Sequence, residues 1–165
     1  MTTSAPERLP RPKLSHPLHF LAFGMGSGCS PKAPGTMGTL VAMVLYLPLS
    51  YLPSWWYLGV TILVILAGIW ICDWSARQLG VHDHPGIVWD EIAGYLVTML
   101  WAPAGFEWML AGFILFRLFD ILKPWPIGWL DRRVGGGLGI MLDDVVAGIA
   151  AMLCLQVASR LLAGA

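Results

Sequence analysis

Residues Ile140–Leu162 read IMLDDVVAGIAAMLCLQVASRLL. Beyond the paired acids Asp143 and Asp144 the run stays apolar almost to Arg160, which suits a helix of the roughly 20 residues needed to cross a bilayer. A second pair, Asp90 and Glu91, opens another apolar run, WDEIAGYLVTML, over Trp89–Leu100. Ionised side chains are costly beside hydrocarbon and persist there with a partner such as a metal, a cation or a substrate. Two such pairs make a cation-dependent site at a membrane surface the first hypothesis.

Four further apolar segments accompany the last one: Gly38–Leu52, Trp55–Cys72, Ile92–Pro103 and Trp108–Leu122. Several are short for simple spans, and tilt, local thinning or partial insertion would accommodate them. Starting the third near Gly86 would bring Asp90 and Glu91 into its first turns. The 165 residues are 57% hydrophobic and only 12% charged, and mean hydropathy is +0.69, which favours the membrane class over a soluble domain. The expectation is an all-α fold, a compact bundle of short membrane-embedded helices. Residues 1–19 read as a flexible basic arm without the apolar core of a signal peptide, and 20–165 as a single domain.

With the N-terminus in the cytoplasm, the inner side carries Arg8, Arg11, Lys13, Lys32, Arg77, Lys123, Arg132 and Arg133, while the outer turns near Pro53 and Ala104 hold no Lys or Arg. That matches the positive-inside rule. Trp55, Trp56, Trp101 and Trp108 fall near the outer boundary, and Trp89, Trp125 and Trp129 near the inner one. The Gly- and Pro-rich connectors then gather on one side. A transporter would place such groups near mid-membrane. No basic tract is long enough for nucleic acid.

Three widely spaced cysteines, Cys29, Cys72 and Cys154, form no metal or redox motif and read as reduced and structural. A Cys-dependent phosphatase wants an Arg six positions after its nucleophile. Gly35 and Gln78 stand there instead.

The connectors carry the chemistry. Mg²⁺ is commonly held by one or two carboxylates plus substrate phosphate, which convergence of the two acid-bearing helix starts would provide. Helix capping is the plainer role for first-turn acids. Arg117, Asp120 and Lys123, at steps of three, share one helical stripe and form either a phosphate clamp or an internal ion-pair ladder. Gly135–Gly139 leads into the helix of Asp143 and Asp144, as an anion-binding start or a flexible turn. Ser27, Ser30, Lys32 and Thr36 make a hydroxyl- and lysine-bearing loop without nucleotide P-loop spacing. His82 and His84 flank Asp83 as secondary candidates, and His16 and His19 have no evident companions.

The blocks GSGCSPKAPGTMGT (26–39), VHDHPGIVWDEIAG (81–94) and FRLFDILKPWPIGWLDRRVGGGLGIMLDDVVAG (116–148), in this order, resemble the bacterial phosphatidylglycerophosphatase A family. The likeness runs from about Ala22 to Ala150. Thr39, where the family commonly has serine, is a mild departure that keeps the hydroxyl. The resemblance implies Mg²⁺-dependent hydrolysis of phosphatidylglycerophosphate to phosphatidylglycerol and phosphate, in phospholipid biosynthesis. It implies a multi-pass protein of the bacterial inner membrane with its active site toward the cytoplasm. Its acidic signature falls on Asp83, Asp90, Glu91, Asp120, Asp143 and Asp144, and its basic positions on Arg117 and Lys123. The expected roles are catalysis by Asp83, Asp90, Glu91 and Asp144, with Asp83 as general base. Metal ligation is expected from Asp90, Glu91, Asp120, Asp143 and Asp144, and phosphate binding from Ser27, Lys32, Thr36, Arg117 and Lys123. A divalent-cation transporter using the same carboxylates is the alternative. Oligomeric state is not legible.

Overall fold

Proline and glycine mark most of the element boundaries in the computed structural model, which describes residues 10–81 and 84–163. Helix α1 (Pro17–Ala22) opens on a proline, whose missing N–H costs nothing at that position. A 3-10 turn, Gly24–Cys29, follows and bends at Met25 and Gly26, both with positive φ. Helix α2 (Pro34–Leu49) again starts on proline. Helix α3 (Ser54–Leu79) follows Pro53 and stops at Gly80, whose φ of 68° and N–H to the Ala76 and Arg77 carbonyls close the last turn. Then come α4 (Trp89–Thr98), α5 (Phe106–Leu122), α6 (Ile127–Arg133) and α7 (Gly136–Ala163). Every regular element among the described residues is helical, as expected.

The five apolar segments fall in α2, α3, α4, α5 and α7. The short α1 and α6 were not anticipated, because neither is long enough to show a helical period. The larger correction concerns α4. At 10 residues it is only about 15 Å long, and Ile92 through Thr98 are all buried. It is the central post of the bundle rather than a span, enclosed by α2, α3, α5 and α7. Among the described residues only α3 and α7, of 26 and 28 residues, are long and apolar enough to cross a membrane. Their outward faces expose Ile62, Leu63, Leu66 and Trp70 on α3, and Leu153, Val157 and Leu161 on α7.

The N-terminal stretch also departs from expectation. Residues 1–9 lie outside the described part, but the largely exposed stretch 10–19 is tied to the bundle at Pro10, His16 and His19. His16 stacks on Trp74 at 4.5 Å, His19 Nδ1 lies 2.7 Å from Ser75 Oγ, and the Pro10 carbonyl meets His84 Nε2 at 3.1 Å. The two histidines that lacked companions in sequence therefore share an aromatic and hydroxyl cluster with α3.

At one end of the bundle the connectors converge. Val88 N–H donates to the Ala22 carbonyl at 2.9 Å, and Gly28 and Gly86 approach so closely that a Cβ on either would strike the other's carbonyl oxygen. The opposite end closes with Tyr46, Tyr57 and Trp101 around the α2–α3 turn.

Candidate active site

A five-residue pattern occurs twice: Asp90-Glu-Ile-Ala-Gly94 on α4 and Asp144-Val-Val-Ala-Gly148 on α7. Residues four apart share a helix face, so each acid lies one turn before its glycine on the same stripe. The glycines are where the helices touch. A Cβ on Gly148 would collide with the Gly94 carbonyl, and one on Gly94 would come within 2.7 Å of the Asp144 carbonyl. Thr98 Oγ1 bonds the Gly94 carbonyl at 3.0 Å and reaches toward that of Gly148 at 3.4 Å. Small residues thus bring the backbones together, and the acids meet one turn away.

Asp90, Glu91 and Asp144 each offer a carboxylate oxygen, and the three lie within 4.8 Å of one another. Asp90 Oδ1, Glu91 Oε2 and Asp144 Oδ2 are shielded from solvent and have no hydrogen-bond partner. Buried polar atoms without partners are rare, because each costs about 1–3 kcal/mol, more if charged. An all-oxygen donor set of this kind fits a hard divalent cation such as Mg²⁺.

The cluster floors a cavity of about 290 Å³. Among the described residues six carboxylates line it, from Asp90, Glu91, Asp120, Asp131, Asp143 and Asp144, against two cations, Arg117 and Lys123. Arg117 Nη1 pairs with Asp120 Oδ2 at 2.5 Å and approaches Glu91 Oε1 at 3.6 Å. Lys123 leaves the helical stripe. It caps α5 with φ at 42°, and its Nζ bridges Asp131 at 2.7 Å and Asp143 at 2.6 Å. Burial works to lower the Lys123 pKa, but the two carboxylate hydrogen bonds outweigh it and hold the ammonium form. Burial, reinforced by Glu91 and Asp144, pushes Asp90 well above the usual carboxylate range. Burial likewise pushes Glu91 up to about 7, the nearby Asp90 and Arg117 opposing it and Asp120 adding to it. So many acids cannot all ionise together unless positive charge joins them.

The remaining wall comes from Ala33, Pro34 and Gly35 at the start of α2. Gly35 is forced by space, since a Cβ there would strike Glu91 and crowd Arg117. No side chain caps this helix start, so its first-turn dipole faces the cavity. Helix α7 begins differently. Asp73 Oδ1 accepts the Gly137 N–H at 3.1 Å, so the glycine run is a capped turn packed tightly on α3.

Of the expected metal ligands, Asp90, Glu91 and Asp144 form one cluster, while Asp120 and Asp143 line the same cavity in ion pairs. Arg117 and Lys123 also line it. Ser27, Lys32 and Thr36 do not: Ser27 Oγ donates to the Gly24 carbonyl at 2.8 Å, and Ser30 Oγ to that of Lys32 at 2.8 Å. That loop presents backbone rather than hydroxyls to the cavity. Asp83 and His82 lie outside the described residues. His84 is buried and serves the loop instead of the acids. Asp131 has no role legible in sequence, and Gly35, part of the family's serine-proline-glycine-threonine block, gains its reason only from the space beside Glu91. The repeated Asp-x-x-Ala-Gly spacing could have flagged the α4–α7 contact, but nothing local links Asp131 to Lys123.

The phosphatidylglycerophosphatase A family model matches residues 20–159. The chain is 49% identical over 140 residues to a phosphatidylglycerophosphatase A of Escherichia coli K12, covering 84% of this chain and 81% of the relative. It is 43% identical over 155 residues to one of Haemophilus influenzae, covering 93% and 94%. A Bacteroides thetaiotaomicron protein with a provisional phosphatidylinositol-3-phosphatase name is 36% identical over 147 residues, covering 84% and 91%. No solved structure matches the chain. With the match spanning the acid-bearing helices and every connector around them, the chain belongs to the phosphatidylglycerophosphatase A family.

Proposed function

We propose that the protein is a Mg²⁺-dependent lipid phosphatase that hydrolyses phosphatidylglycerophosphate to phosphatidylglycerol and phosphate at the cytoplasmic face of a bacterial inner membrane. The observation that carries this is the set of partnerless buried oxygens on Asp90, Glu91 and Asp144, in a chain whose relatives are named for that reaction. These three residues would hold Mg²⁺, which when bound supplies charge neutralisation of phosphate oxygens and activation of water.

The chain's own groups have distinct tasks. Arg117, held by Asp120 and Glu91, faces the cavity as a fixed cation for a phosphoryl oxygen. Lys123, shared between Asp131 and Asp143, brings a second charge without adding a free one. The uncapped start of α2 offers backbone N–H groups to an anion, as helix N-termini do. Asp83 is proposed as the general base that takes a proton from the attacking water, and the next described residue but one, Pro85, lines the cavity. The exposed apolar faces of α3 and α7 fit a bilayer-embedded protein, and the positive-inside pattern favours a cytoplasmic site.

The cation-transporter alternative draws no support from the relatives, and the acids are confined to one end of the bundle. Phosphate release from phosphatidylglycerophosphate in detergent tests the reading. Release with Mg²⁺ that stops on chelation is expected. No release, or release indifferent to chelation, contradicts it, and cation uptake into sealed vesicles without hydrolysis would favour the transporter.

A further inference from the structure

The acid cavity has a larger neighbour. A space of about 670 Å³ lies between Pro10–Leu14 and the turns that carry Cys29 and His84, and it shares Pro34 and Pro85 with the acid cavity. Its walls are held in place. His84 Nδ1 accepts the Gly86 N–H at 3.0 Å, which leaves Nε2 to carry the ring proton and donate to the Pro10 carbonyl at 3.1 Å. That clamp fixes the 10–14 segment as one side of the space. The Gly28–Gly86 backbone contact fixes another.

The two cavities differ in charge. The acid cavity holds an excess of carboxylates, whereas no carboxylate of a described residue lines its neighbour. Prolines, Phe23 and Leu14 make the neighbour largely apolar, and among the described residues Arg11 is the one Lys or Arg that lines it. Arg11 is exposed and makes no ion pair with any described residue. A lipid whose terminal phosphate enters the acid cavity carries a second, diester phosphate one glycerol away. That anion is repelled by the carboxylates and needs a cation close by.

We propose that the Arg11 cavity receives the glycerol and phosphodiester portion of the substrate, with Arg11 pairing to the diester oxygens. It thereby selects a monoester carried on an anionic lipid over a water-soluble monoester. The inference rests on the phosphatase reading and adds a second subsite to it. Beyond the cavity, Leu14 lies 3.9 Å from where a Gly26 Cβ would stand, and the adjoining Met25 opens onto the exposed apolar face of α2 at Met37, Leu40 and Val44. Acyl chains have a route from the headgroup to lipid along that face.

Two measurements on the full chain in detergent test this. In the first, wild type, Arg11→Ala and Arg11→Lys are compared on short-chain phosphatidylglycerophosphate and on glycerol 3-phosphate. Arg11→Ala should lower kcat/KM on the lipid about tenfold, mainly through KM, and leave glycerol 3-phosphate unchanged, while Arg11→Lys recovers most of the loss. Equal loss on both substrates, or loss on neither, overturns the proposal.

The second needs no turnover. Cys29 is exposed in the cavity wall and Cys72 is buried, so Cys154→Ser leaves one reactive thiol. Micelles containing phosphatidylglycerol, which has the diester and lacks the terminal phosphate, should slow maleimide labelling of Cys29. Phosphatidylcholine micelles and inorganic phosphate should not, and Arg11→Ala should abolish the protection. Hydrolysis without such protection removes the second subsite and leaves the phosphatase reading standing. Protection without hydrolysis of either substrate keeps the subsite and removes the phosphatase reading.

Discussion

The two ends of the bundle treat buried polar groups in opposite ways. At the end closed by the α2–α3 turn, Tyr57 Oη donates to the Leu96 carbonyl at 2.7 Å and Tyr95 Oη to that of Met109 at 2.9 Å. Gln156 Nε2 donates to the Leu100 and Trp101 carbonyls at 3.2 and 2.8 Å. Each of these three side chains finds its partner within the chain and ties helices together. At the acid end, oxygens of Asp90, Glu91 and Asp144 and the Arg117 Nε are buried without one. A fold gains nothing from orphaned charge, and the proposed cation would supply the partner these oxygens lack.

The sharpest way to break that contrast is to remove an acid. Asp144→Asn or Asp90→Asn should lower phosphatase turnover about a thousandfold, while the cation-free protein melts at an unchanged or higher temperature because like-charge crowding is relieved. A large fall in cation-free Tm would make these acids structural. Next in size is Gly148→Ala. Its Cβ meets the Gly94 carbonyl, so the helices must part and the acids disperse. Activity should fall about a hundredfold, with a stability loss of about 1–3 kcal/mol in denaturant melts.

Acidity sharpens the contrast further. Burial holds Glu91 at about 7, above its ordinary value, so the cation-free fold is favoured by protonation and loses stability as pH rises from about 4.5 to 7. A bound cation needs the ionised form and reverses that sign. Cation affinity, followed by titration calorimetry, should therefore drop severalfold or more per pH unit below 7.

The far end should behave in the opposite manner. Tyr95→Phe is expected to cost about 1 kcal/mol of stability and leave turnover per folded molecule unchanged. The smallest effect belongs to Lys32→Ala. Its side chain does not line the acid cavity, so phosphatase turnover should change by less than about threefold.

Much of the architecture was legible because apolar runs and Gly/Pro punctuation are local signals. The five apolar segments and the gathering of connectors follow from them, and the acid pairs at two helix starts mark Asp90, Glu91 and Asp144 as candidates to converge. What escaped is non-local. A 10-residue helix buried on every side and a short span look alike in hydropathy, so α4 read as a span. By spacing alone Lys123 falls on the Arg117–Asp120 stripe. Its positive φ redirects it to Asp131 and Asp143, and that depends on how α6 folds back. The hydroxyls of Ser27 and Ser30 looked like anion ligands, but they close their own loop.

Direct binding of a paramagnetic divalent ion is the decisive measurement. Titration with Mn²⁺, followed by electron paramagnetic resonance in detergent, should show saturable binding that Mg²⁺ displaces and that Asp90→Asn and Asp144→Asn each abolish. Wild type that leaves Mn²⁺ free in solution, or variants that bind it as wild type does, would contradict a cation centre between α4 and α7.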